Sequence, residues 1–108
     1  MKTSKADRRI SHSQARAWME HYPESIILDV RSLAEYKTGH IRNAILLPVD
    51  EIEEKARELL PNKDALIMVY CRSGIRSHTA AMQLVDMGYT DVYDFGGILD
   101  WPYGVTIR

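Results

Sequence analysis

The chain has 108 residues, 45% apolar and 27% charged, which suits a single soluble domain spanning residues 1–108 around one compact core, with no low-complexity or repeated tract. With 14 basic against 15 acidic side chains the net charge is −1, so no field holds a polyanion and nucleic acid is a poor partner. No stretch approaches the ~20 apolar residues of a membrane span, the opening MKTSKADRRI has no apolar run behind its basic residues, and the lone Cys71 has no disulfide partner, so the expectation is a complete cytoplasmic protein.

Taken in chain order, Ser11 and Gln14 have the offset of a capping box, and Ala15, Trp18, Met19 and Tyr22 follow at helical spacing until Pro23. SIILDV, residues 25–30, is a β-branched run expected of a strand buried on both faces. Ser32 and Glu35 repeat the capping-box offset, and a short helix there stops at Gly39 before a second brief strand, AILLP. From Asp50, with Glu53 three residues on, Ile52, Ala56, Leu59 and Leu60 predict an amphipathic helix ended by Pro61. ALIMVY is a third strand, the positions Ala80, Ala81, Leu84 and Val85 predict a helix from about Arg76 that Gly88 can cap, and DVYDF is a final strand. Strands alternating with helices through short connections imply βαβ units, a parallel sheet and a three-layer α/β fold.

Cys71 falls just after ALIMVY, where ligands bind in open parallel sheets. Between Cys71 and Arg76 lie Arg72, Ser73, Gly74 and Ile75, too few residues for a wandering loop, and Gly74 is free to take a positive φ. Backbone N–H groups curled inward, the N-terminus of the next helix, and Arg72 and Arg76 together favour an anion. The same surroundings favour a thiolate, since such cysteines fall from a pKa of about 8.5 to roughly 3.5–7.5. Cysteine phosphatases place an arginine six positions after the cysteine. Here that position is Ser77 and the arginine comes one residue early, giving a tighter cradle suited to the terminal sulfur of a persulfide.

CRSGIRS, with LDVRSLAEYKTGHIRNAILLP upstream and GGILDWPYG downstream, resembles the rhodanese-homology family in order and spacing over most of residues 26–104. The resemblance implies a mostly parallel sheet of about five strands with helices on both faces. It also implies a sulfurtransferase in which Cys71 is the nucleophile, cycling between thiolate and persulfide, without metal or organic cofactor. The donor would be thiosulfate or another small anionic sulfur compound, and the acceptor cyanide, a thiol or a protein. Arg72 and Arg76 would attract the donor while the N–H groups of Ser73, Gly74, Ile75 and Arg76 hold the persulfide. Rival readings are a sulfur carrier or interaction module working with a protein partner, and a phosphatase or arsenate-reductase-like enzyme. Arg42 and Asn43, where the family commonly has Pro-Gly, and Ile75, where Asn is frequent, bear on acceptor preference.

Asp29 and Arg31 either brace the active loop or form a surface ion pair, and Glu35 either caps its helix or binds a loop arginine. His40 reads as structural rather than as a general base, and His78, in the first turn of the helix after the loop, faces either solvent or the cradle mouth. His12 and His21 lack ligand-like spacing, which argues against zinc. Trp18, Met19 and Trp101 are expected in the core, Trp101 under the loop, with Gly96 and Gly97 allowing close backbone approach.

Overall fold

The computed structural model describes residues 8–108; residues 1–7, on which much of the reading of the opening segment rests, lie outside it. Four strands, β1 (Ile26–Asp29), β2 (Ile45–Leu46), β3 (Ile67–Cys71) and β4 (Val92–Gly97), form an all-parallel sheet in the order β2-β1-β3-β4. The helices are α1 (His12–His21), α2 (Leu33–Thr38), α3 (Ile52–Leu59) and α4 (Ile75–Asp86).

Among the described residues the sheet has four strands, where about five were expected. Next to β4, among the described residues, there is a single parallel bridge, in which Ile10 N–H donates to the Asp94 carbonyl and Asp94 N–H to the Arg8 carbonyl, both at 2.8 Å. It goes no further because Ser11 turns the chain at once into α1, its hydroxyl accepting from Gln14 N–H at 3.0 Å. AILLP likewise yields only two strand residues: Leu47 and Val49 N–H still donate to the carbonyls of Asp29 and Val30 at 2.8 and 3.0 Å, and the chain then tightens into a 3-10 turn over Val49–Glu51. That turn, closed by Glu51 N–H on the Pro48 carbonyl at 2.9 Å, also displaces the expected cap at Asp50: α3 starts at Ile52 with no side-chain cap. The acids Glu53 and Glu54 still complement the helix dipole there.

The central strand β3 is buried along its whole length, and its alternation divides the core. Ile67, Val69 and Cys71 pack with Ile52, Ala56, Ala80, Ala81 and Leu84 of α3 and α4. Met68 and Tyr70 pack on the other face with Ala15 of α1, Phe95 and Trp101. Trp18 and Met19 are only partly buried, contrary to expectation. Trp18 lies at the sheet edge, where it meets the ring of Tyr93 on β4 edge-on, 4.9 Å away, and among the described residues only the short Arg9 bridge lies beyond β4. Among the described residues no helix is long and apolar enough to cross a membrane.

Candidate active site

The strand that reads as ALIMVY runs one residue further and ends on Cys71 itself, opposite Gly97. Residues 72–74 then turn straight into α4. Gly74 makes that turn possible: at φ +106 it aims its N–H at Cys71 Sγ, 3.0 Å away. Ser77, in the first turn of α4, brings its hydroxyl to 3.6 Å from the same sulfur, and that oxygen also lies 3.4 Å from the Gly96 carbonyl. Once the sulfur is a thiolate, this hydroxyl donates to it.

Cys71 is 1% exposed. Burial pushes the thiol up, but the hydroxyl and N–H of Ser77, with the N–H groups of Gly74 and Ser73, more than offset it and leave Cys71 below its ordinary value. The donors that turn to the sulfur are therefore Ser73, Gly74 and Ser77. Nothing local in the sequence marks Ser77 for this; it stood out only as the place where a phosphatase needs arginine. Ser77→Ala should move the inflection of Cys71 alkylation by iodoacetamide to higher pH, and an unmoved pH profile would take Ser77 out of thiolate stabilisation.

Two further contacts hold the loop. A Cβ on Gly97 would stand 2.7 Å from Ser73 Cα, so only glycine lets the end of β4 lie against the loop, where Leu99 N–H also donates to the Arg72 carbonyl at 3.3 Å. Arg9 donates through Nε to Asp94 at 2.9 Å and through Nη2 to the Gly74 carbonyl at 3.0 Å. No sequence pattern points to Arg9, 65 positions from Gly74.

Glu35 plays both parts that the sequence left open. Its Oε1 accepts from the Ser32 N–H at 3.0 Å, completing the capping box of α2, while both carboxylate oxygens take the fork of Arg76 at 2.7 and 2.9 Å. The Arg76 hydrogen bonds, helped by Ser32 against the opposing effect of burial, hold Glu35 down at about 2. Arg76 is raised chiefly by Glu35, and the nearby Cys71 and Asp29 add to this. Arg72 on the loop and Ile75 at the first residue of α4 are exposed.

Asp29 and Arg31 are no surface pair: they are 0% and 4% exposed. Arg31 Nη2 reaches Asp29 Oδ2 at 2.6 Å and the Gly39 carbonyl at 2.8 Å, while Tyr70, the residue before Cys71, donates its hydroxyl to Asp29 at 2.6 Å. Ile41 N–H donates to the Tyr70 oxygen at 3.1 Å. The pair thus bonds the neighbours of the loop rather than residues 71–76. His40 is buried, stacked 3.7 Å from the Tyr36 ring, with its nitrogens on the carbonyls of Tyr36 and Arg108 at 3.0 and 2.7 Å. His78 is exposed, and Trp101 packs beside Phe95 and His12.

Fold and site define a small α/β protein with a buried, hydrogen-bonded thiol in a tight loop at the carboxyl end of a parallel sheet. The chain belongs to the rhodanese-like domain family, whose profile matches residues 11–102. It is 37% identical over 73 residues to the thiosulfate sulfurtransferase PspE of Escherichia coli K12, covering 68% of this chain and 70% of that one. It is also 37% identical over 84 residues to a tRNA uridine(34) hydroxylase of Photorhabdus laumondii, covering 73% of this chain but only 24% of the hydroxylase. Among solved structures, a rhodanese-related protein from Thermoplasma volcanium superposes with a TM-score of 0.79 at 32% identity, over 94% of this chain and 99% of its own.

Proposed function

We propose that the chain is a sulfurtransferase that carries sulfane sulfur as a persulfide on Cys71, taking it from thiosulfate or a persulfide donor and passing it to cyanide or a thiol. The observation that carries this is the set of N–H and O–H donors closing on a buried Sγ. The Cys71 thiolate attacks the outer sulfur of thiosulfate. An Sγ–S bond forms, the S–S bond of thiosulfate breaks, and its electron pair leaves with sulfite. The acceptor then attacks the transferred sulfur, the Sγ–S bond breaks, and the thiolate returns.

The donors of Ser73, Gly74 and Ser77 suit negative charge on either sulfur and are in place before reaction. Arg72 and Arg76 supply positive charge beside the sulfur, while Gly74 shapes the loop and Asp29, at the end of β1, with Arg31 two residues on, supports its neighbour Tyr70. The scheme calls on no metal and no organic cofactor. Four residues between Cys71 and Arg76, with Ser77 where a phosphatase has arginine, favour sulfur over phosphoryl transfer. The likeness to PspE supports thiosulfate as a donor. A tRNA substrate gains no support from a net charge of −1. A free working thiol fits a reducing compartment such as the cytoplasm.

Intact-protein mass after incubation with thiosulfate, before and after a reducing thiol, tests the proposal. A reducible gain of one sulfur atom is expected. No gain from thiosulfate or from an organic persulfide would overturn it.

A further inference from the structure

A planar guanidinium binds a multi-oxygen anion best through two parallel N–H bonds. At this site that fork is already filled. Arg76 Nη1 and Nη2 donate to Glu35 Oε1 and Oε2 at 2.7 and 2.9 Å, and Glu35 is fixed from behind by the N–H and hydroxyl of Ser32 at 3.0 and 3.1 Å. The clamp ties α2 to α4 beside the cysteine loop. With Cys71 as thiolate, the charges of Cys71 and Glu35 offset those of Arg72 and Arg76, so these four groups together offer a dianionic donor no net positive charge. Glu35 is held at about 2, chiefly by Arg76, and so keeps its charge throughout the neutral range.

The rim of the site points the same way. Three segments that bond the loop or continue it each carry an exposed apolar side chain: Leu33 at the start of α2, two residues from Glu35, is 52% exposed, Ile75 at the first residue of α4 76%, and Leu99, whose N–H bonds the Arg72 carbonyl, 60%. A small hydrated anion gains nothing from such a rim, whereas a donor with an apolar group buries it.

We propose that Glu35 is a specificity-determining residue: by filling the fork of Arg76 it withholds that contact from doubly charged donors and, beside the apolar rim, biases the cradle toward singly charged or neutral sulfane-sulfur donors that bear an apolar group, organic persulfides among them. This rests on the sulfurtransferase reading. With an organic persulfide R–S–SH, Cys71 Sγ attacks the outer sulfur, the Sγ–S bond forms and the R–S–S bond breaks. The thiolate R–S⁻ leaves with the electron pair, and the proton stays on the transferred sulfur or passes to solvent.

The test compares thiosulfate with benzenethiosulfonate, a singly charged aryl donor, using the full chain, cyanide as acceptor and thiocyanate as product. The unmodified chain should show the higher kcat/KM with benzenethiosulfonate. Glu35→Gln, which keeps an oxygen for capping but no charge, should lower the ratio of the thiosulfate KM to the benzenethiosulfonate KM by about 3- to 10-fold, the size of one modest ionic contact. Leu99→Ser should raise the benzenethiosulfonate KM several-fold more than that for thiosulfate. A merely structural role for Glu35 would move both donors together. Turnover with a donor ratio unmoved by Glu35→Gln would overturn the assignment alone, whereas no thiocyanate from either donor would overturn the sulfurtransferase reading and this inference with it.

Discussion

Cys71→Ser should abolish sulfur transfer while the protein stays folded. A serine hydroxyl is far less ionised and less nucleophilic toward sulfur than a thiolate, and an O–S adduct cannot replace the persulfide. The fold loses little. Residue 71 ends β3 with its side chain buried among the residues facing α3 and α4, and a hydroxyl there stays within reach of the Gly74 N–H, which lies 3.0 Å from the sulfur. A cost of about 1 kcal/mol is expected for so small a change, or roughly 4–8 °C in Tm. Mass spectrometry should show no sulfur adduct on the variant, and thiocyanate formation should fall to background. Appreciable turnover by a folded Cys71→Ser protein would rule out the covalent route.

The parts of this site legible in the sequence are those built from near neighbours. An apolar run ending at a cysteine, followed by a glycine and then helical spacing, placed Cys71 at the carboxyl end of a buried strand, and the i, i+3 pair Ser32 and Glu35 gave the capping box that is present. The parts missed depend on which strands lie side by side. β1 sits next to β3 only because of the order β2-β1-β3-β4, and that adjacency brings Asp29 to Tyr70, 41 positions away. The same distance in sequence separates Glu35 from Arg76, so the sequence could offer a loop arginine only as an alternative to capping and could not show that Glu35 does both. Arg9 reaches Gly74 because the chain passes along β4 for a single bridge before α1 begins. Ser77 was visible as a residue, but its aim at the sulfur follows from α4 starting at Ile75 rather than Arg76.

Asp29→Ala should be the most destabilising change considered. The carboxylate is fully buried and accepts from the Arg31 N–H and guanidinium and from the Tyr70 hydroxyl, at distances from 2.6 to 3.1 Å. Burial works against the charge on Arg31, and the Asp29 carboxylate more than compensates, holding Arg31 above its usual value. Burial, with that same carboxylate, keeps the Tyr70 hydroxyl protonated far beyond the ordinary phenol range. Removing the carboxylate strands a buried cation and a buried hydroxyl at once. Breaking such a pair from one side costs about 3–5 kcal/mol, a large share of the ~5–15 kcal/mol that holds a domain together. The expected fall in Tm is on the order of 15–30 °C. Asp29→Leu with Arg31→Met should lose less than Asp29→Ala alone, because no charge is then left unpaired. Asp29 belongs to the network of Tyr70 and Gly39, and Tyr70 packs on the face of β3 opposite Cys71. Whatever fraction of Asp29→Ala remains folded in the cold should therefore keep kcat within a few-fold, and thermal melts paired with low-temperature kinetics separate the two effects. A melt within a few degrees of the unmodified chain would show that the pair carries little of the stability, and a well-folded variant without turnover would move Asp29 from the scaffold into the site itself.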